Sequence, residues 1–378
     1  MLQEKKIMMF SSVHVWNDTR IFYKEAMTLA DAGFEVDFYA IDNGMEVVEH
    51  PGLRVHLLPA STSRLARPLR WRKLYKIAKA SDAMYYHIHD PELLLLLPKL
   101  RKKKPDAILI YDMHENFPAD IETKTWIPAL LRKPLKKWIL RMEKHTMASC
   151  DHIIFAEESY LASYEHMDCK KTTIYNYPTY MEAIPKTASE SPFTLIYVGS
   201  ITEDRGIFEM LELIRRLQEK RPTAYCLKLL GPMTNSLEIE VQEFITKHKL
   251  EAVVQVYGRV PYPEIWQAYA ASDLGLCLLH PIPNYLQSMA TKLYEYMAAS
   301  LPILASDFPD WQNFIEKHQS GAVSSPFDTE KLISEIEKRA ANPYLYAQEG
   351  ERGRLAYEQE YHWGIEAQKM LSHVYNTQ

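Results

Sequence analysis

Asn284-Tyr-Leu-Gln-Ser-Met-Ala-Thr-Lys-Leu-Tyr-Glu-Tyr-Met-Ala298, followed by Ala299-Ser-Leu-Pro-Ile-Leu-Ala-Ser306, decides the reading of this chain. Leu293, Met297 and Met289 recur at helical spacing. Leu301 to Ala305 is a short apolar run of the kind that fills a strand covered on both faces. The stretch therefore reads as polar loop, helix and buried strand, and its polar members need a reason. Gln287, Ser288 and Thr291 stand in the approach and the first turn. Lys292 and Glu295, three apart, share one helix face. A helix start offers unpaired N–H groups and a positive dipole end suited to a phosphate. A carboxylate one turn further in suits the two hydroxyls of a ribose. The plainer alternative is an amphipathic helix with an exposed ion pair.

Outward from that stretch the pattern repeats. Lys6 to Phe10 reads as a strand, Ser11 to Thr19 as a polar loop, Arg20 to Ala32 as a helix closed by Gly33, and Phe34 to Ala40 as the next strand. Such a β-loop-α-β opening is Rossmann-like. It lacks the G-x-G-x-x-G turn, so no nicotinamide or flavin cofactor is expected. The loop holds His14, Trp16, Asn17, Asp18 and Arg20; Asp18 as a helix cap with Arg20 in the first turn is the simplest account. Ala83 to Asp90 is a strand that ends on His87, His89 and Asp90, with Pro91 opening a helix that Asp90 is placed to cap. Ala107 to Glu115 ends in the same way on Asp112, His114 and Glu115. Two strands that deliver imidazoles and carboxylates to one edge predict a polar site where open α/β sheets bind their ligands. The His87-x-His89 pair reads as poorly suited to sharing one ion, and no metal is expected.

After Asn176 the sequence turns to Asn-Tyr-Pro, further prolines and Thr-Ala-Ser-Glu-Ser, which is linker chemistry. The alternation restarts at Phe193 to Ser200. Gly199-Ser-Ile-Thr-Glu-Asp-Arg-Gly206 leads into a helix, with Arg205 a fixed positive fork suited to a diphosphate. Cys226 to Pro232, Val253 to Pro261 and Asp273 to Leu279 supply further strands. The implied domains are 1–178, completed by a C-terminal helix at 360–378, and 193–359, joined by a linker at 179–192.

These motifs resemble the nucleotide-sugar signature of retaining glycosyltransferases, most closely glycosyltransferase family 4. The resemblance implies an α/β protein of GT-B fold: two Rossmann-like domains facing a central cleft, with the last helix, around Trp363, crossing back to the first domain. It implies that Glu295 binds the donor ribose and that Gln287 stands where the family has a glutamate near the donor sugar. Gln keeps hydrogen-bonding capacity but not the charge. Ser200 stands where the family has a basic residue, so the diphosphate would rest on Arg205 and Lys292. Gly199, Gly258, Arg259, Val260, Ser288 and Thr291 complete the implied donor site. His89 matches a family histidine near the sugar, and with Arg205 and Gln287 makes up the expected catalytic set. Asp18, Arg20, Asp90, His114 and Glu115 are expected on the acceptor side.

The expected activity is transfer of a sugar, with retention and without a metal, from a nucleotide-diphospho-sugar (UDP first, GDP second) to a saccharide or lipid-linked acceptor, in bacterial surface polysaccharide or glycolipid synthesis. A nucleotide-sugar 2-epimerase and a non-catalytic binding subunit share the architecture.

Composition agrees with these bounds. The 378 residues exceed the size at which one core keeps growing. A net charge of −5 argues against nucleic acid as a partner. The cysteines at 150, 169, 226 and 277 show no metal-ligand spacing and read as reduced thiols. Met1 leads at once into strand-like sequence without a signal peptide, and a cytoplasmic location is expected. Segments 64–79 and 132–144 are basic with interleaved Trp71 and Trp138, and suit contact with an anionic membrane surface at the inner face of the plasma membrane.

Overall fold

The computed structural model describes residues 5–60, 67–114, 128–183 and 192–376. Glu115 and residues 64–66 of the first basic segment lie outside them, as does most of the expected linker. Residue contacts divide the chain into two units, Met1–Asn176 with Trp363–Gln378, and Tyr177–His362.

The first unit is built on β1 (Lys6–Val15), β2 (Glu35–Ile41), β3 (Leu53–Leu58), β4 (Tyr85–Ile88), β5 (Ile108–Met113), β6 (His152–Phe155) and β7 (Lys170–Thr173), in the order β3-β2-β1-β4-β5-β6-β7. The second is built on β8 (Phe193–Val198), β9 (Tyr225–Leu230), β10 (Val254–Val256), β11 (Leu274–Cys277), β12 (Ile303–Ser306) and β13 (Gly321–Ser324), in the order β10-β9-β8-β11-β12-β13. All ladder pairs within these sheets are parallel. Parallel strands need helical crossovers, which cover both faces, and this is why β4, β6, β11 and β12 are buried along their whole length. The order of each sheet reverses once, between β1 and β4 in the first and between β8 and β11 in the second. Chain leaving the strands on either side of such a reversal diverges, and the crevice it leaves is where these sheets bind ligands.

Two local predictions are corrected. β1 does not stop at Phe10; it runs to Val15 with a register shift between Phe10 and Val15. The following helix opens with a π-helical turn, Ile21–Ala26, before Met27–Asp31. Short-range periodicity does not distinguish π from α. The C-terminal helix Trp363–His373 belongs to the first unit: Trp363 Nε1 donates to Thr28 Oγ1 at 2.9 Å, and Glu366 accepts from the Tyr175 amide at 2.9 Å.

The helix Ala129–Met147 carries a buried carboxyl. Glu143 Oε2 accepts from the Tyr164 hydroxyl at 3.2 Å, and Oε1 has no partner among the described residues. Burial pushes the Glu143 carboxyl up to about 7. A raised folded-state value stabilises the fold fully below the ordinary carboxyl value, and that stability is lost as pH rises through 7. Glu143→Gln is therefore expected to stabilise the chain by about 3 kcal/mol at pH 8 and by nothing at pH 4. Urea unfolding at the two pH values checks this; an equal effect at both would remove the ionisation from the account.

Candidate functional site

In the second unit the ends of β8, β9 and β10 meet through glycines. A Cβ on Gly231 would lie 1.8 Å from the Gly199 carbonyl oxygen, and the Gly231 amide donates to the Gly258 carbonyl at 2.6 Å. Gly206 has φ +78°, and a Cβ there would strike the Leu278 carbonyl at 2.0 Å. Only glycine lets the loop after β8 lie this close to the end of β11.

That close packing places the cations. The chain leaves β8 through Gly199 and Ser200 and makes a single turn at Glu203–Arg205, and the helix Thr291–Ala298 precedes β12. Arg205 Nη1 and Lys292 Nζ both converge on Gly199, 3.7 Å and 3.6 Å from where its Cβ would be. Arg205 Nε donates to the Tyr285 hydroxyl at 3.2 Å. Lys292 Nζ stands 4.8 Å from the centre of the Tyr197 ring, a cation–π distance, and the Tyr197 hydroxyl is tied to the Ser200 carbonyl at 2.9 Å. At the end of β11, burial pushes the Cys277 thiol up to about 11 against the opposing pull of Lys292 and Arg205. Two positive side chains from segments 87 positions apart thus flank one glycine turn at the switch point.

The helix Thr291–Ala298 has no side-chain cap: Ala290 is the cap residue and offers none. In its first turn the Leu293 amide donates to the Ala290 carbonyl at 2.9 Å, and the Thr291 and Lys292 amides are those a helix start leaves for an outside acceptor. One turn in, Glu295 accepts from the Tyr269 hydroxyl at 2.8 Å. Burial, with the Glu295 carboxylate beside it, holds the Tyr269 phenol well above its usual range, so it remains a donor and fixes the carboxylate. Burial and the same carboxylate raise Tyr262, which opens the helix after the Gly258–Val260 turn. Gly258 has φ +63°, Arg259 is exposed and Val260 half-buried. Gln287 is exposed at the end of the short turn Pro283–Leu286, and the Ser288 carbonyl accepts from Trp311 Nε1 at 2.8 Å.

The sequence missed Tyr197, Tyr269 and Tyr285 as supports. Tyr285 stands two residues before Gln287 and could have been noticed; Tyr269 lies on a different helix, and no local signal marks it.

The first unit corrects several expectations. Arg20 is buried, and its guanidinium is consumed inside the fold: Nε and Nη2 reach the two Asp112 oxygens at 3.1 Å and 2.9 Å, Nη1 donates to the Ile174 carbonyl at 2.8 Å, and Nε faces Glu25 Oε1 at 2.9 Å. It is not available to an acceptor. Asp90 does not cap the helix after Pro91. Buried, it instead accepts from Ser11 Oγ at 2.7 Å and from the Val13 amide at 3.1 Å, and pairs with His14 Nδ1 at 2.9 Å, folding the loop after β1 around itself. These donors hold its carboxyl far below the usual range despite burial. Asp18 is a helix cap, its Oδ1 accepting from the Arg20 and Ile21 amides at 2.9 Å each. His89, expected beside the sugar, is 1% exposed, with its ring against His87 and His114. Beside it, the imidazoles of His14 and His114 reach solvent, their side chains 34% and 17% exposed. His114 Nε2 pairs with Asp112 at 2.7 Å.

Two open parallel sheets, each with its functional loops gathered at the reversal of strand order, define the GT-B class of protein. Residues 181–356 match the glycosyl transferases group 1 family and residues 19–176 match glycosyltransferase family 4. With nearly all of the chain in the two matches, it belongs to the glycosyltransferases that pair these domains. The fold is similar to sucrose-phosphate synthase from Thermosynechococcus elongatus (TM-score 0.76, 18% identity, 97% of each chain) and to Anabaena HepE solved with UDP and glucose (TM-score 0.73, 13% identity, 99% of this chain and 100% of that one). A stretch of 124 residues is 26% identical to a Bacillus subtilis (strain 168) protein described as the teichuronic acid biosynthesis glycosyltransferase TuaC. The match takes in 33% of this chain and spans only 27% of that relative.

Proposed function

We propose that this protein is a retaining glycosyltransferase that takes a sugar from a nucleotide-diphospho-sugar and passes it to a hydroxyl of a saccharide or lipid-linked acceptor in bacterial surface polysaccharide or glycolipid synthesis. The observation that carries the reading is the convergence of Arg205 and Lys292 on Gly199 beside an uncapped helix start. As the sugar leaves, negative charge grows on the distal phosphate. A guanidinium, an ammonium and the helix N–H groups oppose that charge, and fixed donors aimed at developing charge are the largest single source of such catalysis. With that charge answered by side chains, the diphosphate needs no bridging cation. Glu295, held by Tyr269, takes the ribose hydroxyls, and Gln287 the sugar. His114, with His14 beside it, serves the acceptor side, and both reach solvent. UDP is the first choice of nucleotide, in line with the UDP found in HepE.

Of the two basic segments, the helix Ala129–Met147 is the one suited to an anionic membrane surface. Leu130, Trp138 and Leu140 are exposed among Lys133, Lys136, Lys137 and Arg141. In the other, Trp71 Nε1 and Arg67 are spent on Glu92 at 2.8 Å and 2.9 Å. No helix among the described residues is long and apolar enough to cross a membrane.

A thermal-shift screen of UDP-, GDP-, ADP- and CDP-sugars in buffer containing a chelator tests the donor reading. A UDP-sugar is expected to raise the midpoint most; no shift with any of them overturns it. Glu295→Ala is expected to weaken nucleotide binding by about 1–3 kcal/mol, the scale of a lost hydrogen-bonded polar group. Unchanged UDP affinity in calorimetry would remove Glu295 from the ribose.

A further inference from the structure

Glu25, His87, His89 and Asp112 stand together in the interior of the first unit, each fully buried, with one ligand atom from each within 4.8 Å of all the others. His87 and His89 are i and i+2 at the end of β4, and such residues lie on one side of a strand. Their ring centres are 4.4 Å apart, on one side of the strand, although their sequence spacing reads as poorly suited to sharing an ion. Glu25 comes from the π-helical turn after β1, and Asp112 from β5.

Hydrogen bonding leaves this cluster incomplete. Glu25 Oε2 is 3.9 Å from His87 Nε2 and 3.8 Å from His89 Nδ1. Both separations are too long for a hydrogen bond. Glu25 Oε2 and His87 Nε2 have no partner among the described residues. His89 Nδ1 stands 3.4 Å from Asp112 Oδ2. Ligands held about 2.0–2.1 Å from one tetrahedral ion lie about 3.4 Å from each other; the His89–Asp112 spacing equals that distance, and the two Glu25 spacings need a shift of under an ångström toward the ion. The outer contacts are those that metal-bound side chains use: His87 Nδ1 shares a hydrogen bond with the Tyr375 hydroxyl at 2.7 Å, and Asp112 is held by Arg20 and His114. Arg20 balances one of the two carboxylates and leaves the charge of the other to be met by a cation or a proton.

We propose that Glu25, His87, His89 and Asp112 bind one divalent transition-metal ion of the zinc class, which ties the helix after β1 to the ends of β4 and β5. Two imidazole nitrogens and two carboxylate oxygens are a donor set for zinc, iron or manganese, not for calcium or magnesium. The ion's role is structural. The phosphate-binding cations lie on residues of the other unit, so losing the ion lowers stability and leaves UDP affinity where it was, whereas failure of the donor reading shows as no UDP binding at all.

The test is elemental analysis of the tag-free full chain, grown with added zinc, iron and manganese and dialysed at neutral pH. The expected result is one transition-metal ion per chain, lost in His89→Gln and Glu25→Gln and kept in His152→Gln, a buried histidine outside the cluster. Cobalt added to chain stripped under mild denaturant and refolded is expected to give a visible absorption band and raise the melting midpoint. Should a variant fail to fold, the wild-type metal content and the cobalt spectrum still decide. A wild-type chain without metal, whose stripped form gains no stability from zinc, iron, manganese or cobalt, overturns the proposal and leaves a proton and a buried water as the occupants.

Discussion

Arg20→Ala is expected to cost about 3–5 kcal/mol of folding stability, the scale for breaking a buried ion pair from one side. The guanidinium makes two contacts to Asp112, one to the Ile174 carbonyl and one to Glu25. Truncation to alanine removes all of them and leaves two carboxylates buried side by side. In the chain stripped of metal, Arg20, His114 and His89 hold the Asp112 carboxyl well below its ordinary range against the opposing effect of burial, whereas burial and repulsion from Asp112 push Glu25 well above its own. Because its value is lowered, the Asp112 carboxylate stabilises the fold above the unfolded carboxylate range, near pH 4, and that contribution is lost as pH falls below it. Glu25 runs the other way, stabilising at low pH and losing that contribution as pH rises. Without Arg20 the Asp112 contribution shrinks, so the variant is expected to be closest to wild type in acid and furthest from it at neutral pH. Urea unfolding of the metal-stripped chain across pH measures this directly. Asp112→Asn in the Arg20→Ala background is expected to recover part of the loss; an additive further loss would mean that the pair carries no special energy.

Arg205→Ala is expected to slow sugar transfer by about 10²–10³-fold, the usual effect of removing one fixed donor from a developing oxyanion. The effect should fall on the rate of transfer more than on nucleotide affinity, because charge on the distal phosphate increases toward the transition state. Lys292 remains beside Gly199 in the variant and continues to bind the ground-state diphosphate. Tyr285→Phe removes only the hydroxyl that receives Arg205 Nε. It is expected to give a smaller loss in the same direction, since the guanidinium keeps its charge and loses one support. Turnover of the preferred donor from the thermal-shift screen, measured beside UDP affinity by calorimetry, separates the two contributions. Full turnover in Arg205→Ala would assign the phosphate charge to Lys292 and the helix start alone.

Several of the site's relations were legible in the sequence because they are local. Lys292 and Glu295 share a helix face through 3.6-residue periodicity, and Asp18 was recognisable as a cap two residues before the chain it caps. Gly199 and Gly206 bracket Arg205 within one short loop. Arg20, Asp90 and His89 were expected to face a ligand and are found buried among partners of their own unit, for one common reason. They occupy loop and strand-end positions where polar residues face a ligand in some folds and hold loops together in others. Sequence position does not distinguish the two; the partners do, and these lie up to 154 residues away, as between Arg20 and Ile174.

What the sequence determined by itself was the kind of protein: two runs of short apolar strands, each ending in polar or glycine-rich turns and separated by amphipathic helices, can bury their surface only as covered parallel sheets. The tertiary structure alone decided which polar side chains meet and which are buried as supports. Arg205 and Lys292 meet at Gly199 because Gly206 and Gly231 allow backbone to touch backbone. Glu25 joins His87, His89 and Asp112 because β1, β4 and β5 lie side by side. Burial and charge balance are sums over neighbours distant in the chain, and those neighbours exist only once the sheets have formed.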